Sequence, residues 1–263
     1  MHNGSNLIQV QPHYSNKEEW RDLAQRFDLK YEVLELSGPL VLNIDERPIK
    51  MIERYRQSGL VTSLHGCFID VNPGSGDILF RRLSCRRMRE SCLLAKLLGA
   101  KNVVFHSACA SFLRGGYMQS WADKTAEFLM ELASEFDFDF FVENSMDVDP
   151  VPIVELMRRI DNPRIGVCLD IGHTEYSRTP MEEWFEVLEG RIGYIHLSDN
   201  EGLFDDHLPV GQGCIDWEKA DRLYRTLGRD VPITIEANTV EDVEQSLEYL
   251  GQRGLFKIDT HIK

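Results

Sequence analysis

Residues 165–173 read IGVCLDIGH, a stretch in which a short apolar run ends at an acidic residue and a histidine follows within one turn. A nearly continuous apolar run bounded by polar residues predicts a strand that is buried on both faces, as in a parallel sheet. Seven further runs of this kind are spaced along the chain. The eight predicted strands are 6–10, 31–36, 60–65, 102–106, 138–143, 165–170, 192–196 and 232–236.

Amphipathic segments with the apolar spacing of helices lie between the predicted strands. Their expected starts are Ser15 or Asn16, Thr179-Pro180, Asp216 and Thr239. The four tryptophans are expected in the core: Trp20, Trp121, Trp184 and Trp217. Eight alternating strand and helix units predict an α/β fold, a (β/α)8 TIM barrel formed by residues 1–263 as a single domain.

Composition argues against several other classes of protein. The chain has 263 residues, 43% hydrophobic and 27% charged, so a disordered or fibrous protein is not expected. A formal net charge of −14 disfavours a nucleic-acid partner. The six cysteines form no CxxC pair, and we see neither a signal peptide nor an apolar membrane span. We therefore expect a soluble cytoplasmic protein with reduced thiols and no membrane partner.

One segment, residues 81–89, holds five arginines in nine positions. On a helical wheel, Arg82, Arg86 and Arg89 lie opposite a set of apolar residues. This set is Phe80, Leu83, Met88 and Ala95. We predict an amphipathic helix with a solvated arginine face, and an anion site is the less favoured alternative.

From the third strand onward, each predicted strand ends on a residue that can bind a metal. These residues are His65, His106, Glu143, Asp170, His196 and Glu236. Parallel strands of a barrel point their C-terminal ends at one rim, where active sites of this fold lie, so the side chains are expected to converge. Converging imidazoles and carboxylates are costly to desolvate without a cation.

Three further candidate ligands follow these strand ends. They are His173, Asp205 and His207, so five of the eight histidines belong to one expected site. A mixed set of nitrogen and oxygen donors suits a divalent metal such as Zn, Mn, Co or Fe, whereas calcium requires oxygen donors. Asn144 and Asn200 are expected to support the ligands by hydrogen bonding, with exposure to solvent as the equal alternative.

The order of these motifs resembles that of the xylose-isomerase-like TIM-barrel superfamily. The resemblance rests on LHG at 64–66, VVFHS at 103–107, VEN at 142–144, GVCLDIGH at 166–173, IHLSDN at 195–200, DDHLPVGQGCIDW at 205–217 and IEAN at 235–238. The superfamily contains sugar phosphate isomerases and epimerases and the endonuclease IV group of apurinic-site nucleases. The resemblance thus implies an enzyme with a metal site at the barrel rim.

The two branches of the superfamily differ in how many metal ions they hold. The sugar isomerase pattern implies one divalent ion, with ligands at Glu143, Asp170, His196 and Glu236. The nuclease pattern implies three zinc ions, with additional ligands at His65, His106, His173, Asp205 and His207. Since all nine residues are present, the resemblance implies one to three ions.

Two departures from the nuclease pattern favour the sugar enzymes. Asp206 stands where the nucleases carry an arginine, and Val10-Gln11-Pro12-His13 replaces their Gly-Ala-His motif. A negative charge beside a phosphodiester is unfavourable. The predicted function is a divalent-metal-dependent sugar or sugar-phosphate isomerase or epimerase that acts through an enediolate. The resemblance implies Glu143 and Glu236 as its acid/base pair.

Two other functions stay open at this point. One is an endonuclease IV-like apurinic/apyrimidinic-site phosphodiesterase with a multinuclear zinc site, and the other is a metal-stabilised barrel that binds a sugar without converting it. The rim loops carry more acidic than basic side chains: Asp147, Asp149, Glu175, Asp199, Glu201, Asp205 and Asp206 against Arg114 and Arg178. The expected partner is therefore a small-molecule sugar or sugar phosphate. Assembly into a homo-oligomer is left open, because no sequence feature identifies an interface.

Overall fold

Eight parallel strands close into a barrel in the computed structural model, which describes residues 8–38 and 46–258. The strands follow one another in sequence order, and the last pairs with the first. They are β1 (Ile8–Val10), β2 (Lys30–Val33), β3 (Val61–His65), β4 (Asn102–His106), β5 (Asp139–Glu143), β6 (Ile165–Asp170), β7 (Ile192–Leu197) and β8 (Ile233–Ile235). The predicted (β/α)8 barrel is confirmed. Residues 6 and 7 of the first predicted strand lie outside the described residues.

Helices alternate with the strands along the described chain. They are α1 (Lys17–Phe27), α2 (Glu46–Ser58), α3 (Ile78–Leu98), α4 (Gly116–Glu135), α5 (Val151–Met157), α6 (Ile171–Glu175), α7 (Met181–Leu188), α8 (Trp217–Thr226) and α9 (Val240–Arg253). The side chains of Asp216 and Thr239 cap α8 and α9, as predicted. Asn16 precedes α1 without capping it, because its Oδ1 atom accepts a hydrogen bond from Trp20 Nε1 at 3.1 Å. Helix α7 begins directly after Pro180.

The core lies mainly between the barrel and its helices. All four tryptophans are fully buried, which confirms the prediction for Trp20, Trp121, Trp184 and Trp217. A smaller apolar cluster comes from alternate positions of neighbouring strands, namely Val104, Phe141, Cys168 and Tyr194. Residues alternate between the two faces of a strand, so these four line the inside of the barrel. Gly193 is required there, since a Cβ atom would come within 2.6 Å of the Phe141 ring.

Helix α3 differs from the predicted amphipathic helix in the position of two apolar residues. Arg82 and Arg86 are exposed as predicted, but Phe80 and Leu83 are exposed as well. Only Met88 and Ala95 of the expected apolar face are buried. Leu83 precedes Met88 by five residues, which rotates it by about 140° away from the buried side. The assignment of Phe80 and Leu83 to the buried face was therefore wrong.

All six cysteines are free thiols, and four of them are buried. Within the described ranges, no helix combines the length and apolarity needed to cross a membrane. The cytoplasmic location stays a prediction.

Candidate metal centre

Four side chains at neighbouring strand ends form a compact buried group, here called the central cluster. Glu143, Asp170, His196 and Glu236 each offer one ligand atom, and these atoms lie within 4.8 Å of one another. The strand register brings them together. Asp170 pairs with His196 across β6 and β7, and Glu236 directly follows β8. The cluster therefore lies at the C-terminal rim of the barrel, where this fold carries its active sites.

Two histidines extend the central cluster toward β3 and β4. The Nε2 atoms of His65 and His106 lie 3.2 and 3.5 Å from Oε2 of Glu143. The other oxygen of Glu143, Oε1, lies 3.4 Å from Nδ1 of His196. The Glu143 carboxylate thus faces His65 and His106 through one oxygen and His196 through the other.

The remaining three predicted ligands meet on the other side of the central cluster. Oδ2 of Asp205 lies 3.3 Å from Nε2 of His173 and 3.2 Å from Nε2 of His207. His207 has a positive φ of 50°, a backbone conformation that is costly for residues other than glycine and often accompanies function. Its Nδ1 atom lies 3.8 Å from Oε2 of Glu236. All nine predicted ligands are therefore brought into one connected site.

Three of the histidines have one ring nitrogen committed to a hydrogen bond. His65 donates through Nδ1 to the carbonyl of the following residue at 3.0 Å, and His173 donates through Nδ1 to the Asn144 carbonyl at 2.5 Å. His196 donates through Nε2 to the Glu32 carboxylate at 3.2 Å. When the ring gives up the proton of its second nitrogen to bind a cation, that nitrogen directs a lone pair at the cluster, as in imidazoles that bind metals.

The donor set fits a divalent cation. Three buried atoms of the site have no hydrogen-bond partner: Asp170 Oδ2, His173 Nε2 and His196 Nδ1. Buried polar atoms without partners are rare because they cost free energy, and a cation held by the central cluster would satisfy those of Asp170 and His196. Burial raises the pKa of Asp170 to about 7, against the opposing effect of the His173 imidazole. Without a cation, the site therefore holds more buried acid than it can ionise.

Hydrogen bonds from the two predicted asparagines hold the ligand loops. Asn144 donates through Nδ2 to the Asp170 carbonyl at 3.0 Å and accepts from the Asp170 N–H at 2.8 Å. Asn200 donates to the Gly172 carbonyl at 2.8 Å, which ties the loop before Asp205 to α6. Both side chains thus fix the backbone that carries the ligands.

The sequence prediction missed one carboxylate beneath the central cluster, that of Glu32 on β2. Its Oε2 atom accepts hydrogen bonds from Tyr194 Oη at 2.6 Å, Thr234 Oγ1 at 2.9 Å and His196. Its Oε1 atom accepts one from Gln11 Nε2 at 3.1 Å. Burial opposes ionisation, but His196 outweighs it and the pKa of Glu32 is lowered to about 2. The sequence did offer one signal, a charged residue inside an apolar strand. Because successive side chains of a strand point to opposite faces, such a residue can face the inside of the barrel.

The acidic mouth predicted from the rim loops is smaller than expected. Asp147 and Asp199 are both buried, because each carboxylate is hydrogen-bonded within its own part of the rim. Ser107 Oγ donates to Asp147 at 2.6 Å, and Trp217 Nε1 donates to Asp199 at 2.7 Å. The acidic residues that stay exposed are Glu175, Glu201, Asp205 and Asp206. Of the two expected basic residues, Arg114 pairs with Asp149.

Replacing Asp147 by Asn is expected to stabilise the protein in a metal-free buffer above neutral pH. Burial raises the pKa of Asp147 from 3.8 to about 6, so the folded state binds this proton more tightly than the unfolded state does. The resulting stabilisation of the folded state at low pH is lost as the pH rises through 6. The amide can still accept from Ser107 and carries no charge. The Tm of Asp147→Asn should exceed that of the wild type at about pH 8 and differ less at about pH 5. A difference that does not depend on pH would contradict this account.

Sequence comparison assigns the chain to a family. The sequence profile described as xylose isomerase-like TIM barrel matches residues 15–253, so the chain belongs to that family. One relative, the uncharacterized protein MJ1311 of Methanocaldococcus jannaschii, is 28% identical over 200 residues. That match covers 72% of this chain and 68% of the relative.

Solved structures with the same fold include a zinc-soaked protein and sugar epimerases. The TTHB071 protein from Thermus thermophilus, soaked with ZnCl2, is 25% identical with a TM-score of 0.77, and the match covers 93% of this chain and 96% of that one. A D-tagatose 3-epimerase-like protein is 22% identical with a TM-score of 0.66, and the match covers 95% of this chain and 88% of that one. The second match shows the fold alone.

Proposed function

We propose that this protein is a divalent-metal-dependent sugar isomerase or epimerase. The observation that carries the proposal is the central cluster, in which two buried carboxylates flank one imidazole. Oε1 of Glu236 lies 3.0 Å and Oε1 of Glu143 lies 3.4 Å from Nδ1 of His196. Family membership and the sugar epimerases among the solved structures of this fold support the same reaction class.

The central cluster would hold the cation through Glu143, Asp170, His196 and Glu236. Their donors suit Zn, Mn, Co or Fe. When bound, the cation would polarise a sugar carbonyl and its neighbouring hydroxyl and so stabilise an enediolate. The nine candidate ligands are enough to hold one to three ions.

The two glutamates would act as the acid/base pair that moves a proton at the carbon next to the carbonyl. Gln11 Nε2 donates to Oε1 of Glu236 and fixes that oxygen, which leaves Oε2 to exchange a proton. On the other side, His65 lies 3.2 Å from Oε2 of Glu143 and orients that carboxylate. Two carboxylates on opposite sides of one carbon can remove a proton from one face and return it to the other, which is the requirement of an epimerase.

Aromatic side chains beside the ligands support a sugar as the substrate. The Phe68 ring lies 4.9 Å from the ring of His106 and 5.2 Å from that of His65, between centroids. The Tyr176 ring lies 5.5 Å from that of His173. Both rings are half-buried at the rim. They offer apolar surface for the C–H groups of a sugar, while the polar groups of the site face its hydroxyls.

The test is exchange of a substrate C–H proton for deuterium, followed by NMR in heavy water. Keto-hexoses, keto-pentoses and their phosphates would each be offered to protein loaded with Zn, Mn, Co or Fe. Metal-dependent exchange at the carbon beside the carbonyl is expected for at least one sugar. Protein purified identically but carrying Glu143→Gln controls for contaminating isomerases. Failure of every sugar with protein that binds the metal would overturn the proposal.

Phosphodiester hydrolysis at abasic DNA is a second candidate, favoured by one observation. Asp205 lies between His173 and His207, which completes the three ligand sets that the nuclease pattern implies. Against it, Asp206 is exposed and Arg114 is paired with Asp149, so Arg178 is the remaining member of the expected arginine pair for a phosphate backbone. We expect no measurable incision of abasic duplex DNA by the metal-loaded preparation used for proton exchange. Efficient incision without proton exchange would promote the nuclease.

Glu32→Gln is expected to weaken binding of the cation by ~10–100-fold, because the carboxylate that holds the metal-binding tautomer of His196 is lost. Affinity can be measured by competition with a chromophoric chelator. Glu35→Gln is the matched control, since Glu35 follows the same strand but accepts from Tyr55 Oη at 2.8 Å, away from the ligands. Equal affinities of the Glu32 variant and the wild type would show that Glu32 has only a structural role.

A further inference from the structure

Helix α3 presents a row of leucines to solvent. The exposed fractions are 71% for Leu79, 52% for Leu83, 52% for Leu93 and 56% for Leu97. With Arg86 and Glu90 between them, the six residues form the leucine stripe. Their spacing of 4, 3, 4, 3 and 4 residues keeps them within a sector of about 80° on the helix, as in the contact seam of a coiled coil.

The leucine stripe points directly away from the barrel. Met88, at the middle of the helix, is buried and lies on the opposite side. Large apolar side chains that are exposed in pairs along one surface, rather than scattered singly, are typical of sites of protein interaction. The stripe therefore has the form of an interface rather than of a solvated helix face.

The leucine stripe is complementary to a second copy of itself that runs in the opposite direction. Its six members form three pairs centred on position 88: Leu79 with Leu97, Leu83 with Leu93, and Arg86 with Glu90. Leucine is matched with leucine, and a cation with an anion. A two-fold interface requires this self-complementarity, because each residue contacts its pair member on the other copy in both directions.

We infer that α3 forms a homodimer interface, in which the α3 helices of two copies pack antiparallel about a two-fold axis beside position 88. The stripe is about 27 Å long, at 1.5 Å per residue. Its leucines remove apolar surface from water, and its central charges fix direction and register. A parallel pair would instead place Arg86 against Arg86 and Glu90 against Glu90, which is repulsive.

The central charged residues, Arg86 and Glu90, can form an ion pair with a second copy. Within one chain, Arg86 Nε donates to Oε1 of Glu90 at 2.8 Å, and 74% of the Arg86 side chain is exposed. The guanidinium has five N–H donors, so most of them can reach a second carboxylate. In the dimer each Arg86 lies between the Glu90 of its own chain and that of the second copy, which forms a network of four charges at the axis.

The first experiment measures the molar mass of the full chain by analytical ultracentrifugation at micromolar concentrations. A mass of twice 30.3 kDa is expected. The double variant Leu83→Glu/Leu93→Glu should raise the dimer dissociation constant by ~100-fold or more, because symmetry places four glutamates in the contact. Val187→Glu, which alters an exposed apolar residue on α7, should leave the dimer unchanged.

Two results of this experiment would overturn the proposal. One is a monomeric wild type at every concentration, and the other is a dimer whose dissociation constant is unchanged by Leu83→Glu/Leu93→Glu. Thermal unfolding of the same samples checks that the double variant is folded. Its substitutions lie on the exposed side of α3, so a normal Tm is expected.

The second experiment tests the central pair by mixing two variants. Arg86→Glu alone places four acids at the axis, and Glu90→Arg alone places four bases there, so each should dimerise at least ~10-fold more weakly than the wild type. In the mixture, a heterodimer pairs acid with base at both contacts, and dimerisation should recover. The contact within each chain stays repulsive in the mixture, so it cannot account for recovery. A mixture no tighter than its components would overturn the antiparallel pairing.

Discussion

Glu236→Gln is expected to lower the rate of substrate proton exchange by ~10²–10⁴-fold, the usual effect of removing a positioned acid/base group. The amide has nearly the shape of the carboxylate and can still accept the hydrogen bond that Gln11 donates. It cannot take a proton at the position of Oε2. The fold should be retained, because the change removes one of several carboxylates buried together. The rate must be measured at saturating metal, since Glu236 is also an expected ligand.

Glu175→Gln serves as the control for the Glu236 variant. Glu175 is an exposed carboxylate at the same rim, at the end of α6, and should have no effect on proton exchange. Separate titration of the metal distinguishes weaker binding from slower turnover. Full activity of Glu236→Gln at saturating metal would remove Glu236 from the acid/base pair and leave it as a ligand at most.

The sequence predicted the barrel well because its strands are short and apolar and are separated from one another by helices. Asp170 shows why the site could also be located: a strand that is buried on both faces has few reasons to end on a carboxylate. The capping side chains of Asp216 and Thr239 likewise depend on local geometry alone. Features set within about ten residues of sequence were therefore accessible before the structure was known.

Features that depend on neighbouring elements could not be predicted in the same way. Glu32 stays charged in the barrel mainly because His196 lies beside it, and the Tyr194 hydroxyl donates a hydrogen bond to it; these residues are 164 and 162 positions away. Asp147 is buried because Ser107 of another loop reaches it. Leu83 was placed on the wrong side of α3, because a helical wheel gives relative directions and only packing shows which of them faces the barrel. Each case depends on contacts between distant segments.

Removal of the metal is expected to lower the Tm of the protein by roughly 8–16 °C. A cation present at about a thousand times its dissociation constant stabilises the folded state by ~4 kcal/mol, and each kcal/mol corresponds to a few degrees for a chain of this size. The physical source is the central cluster, where Glu143, Asp170 and Glu236 are buried together and Asp170 Oδ2 has no partner. Scanning calorimetry before and after dialysis against a chelator measures the difference.

The choice of cation and of variant makes this measurement specific to the proposed ligands. Zn²⁺ should restore the Tm and Ca²⁺ should not, because imidazole donors favour transition metals over calcium. His196→Ala should reduce the response to zinc, since it removes a ligand that the central cluster cannot replace, and should abolish the response if the central cluster holds the single ion. Elemental analysis of protein purified without added metal then separates one ion from three. With three ions, His207→Ala should reduce the zinc content by one, whereas with one ion at the central cluster it should leave the content unchanged. If zinc raises the Tm equally in His196→Ala and in the wild type, the cation binds elsewhere.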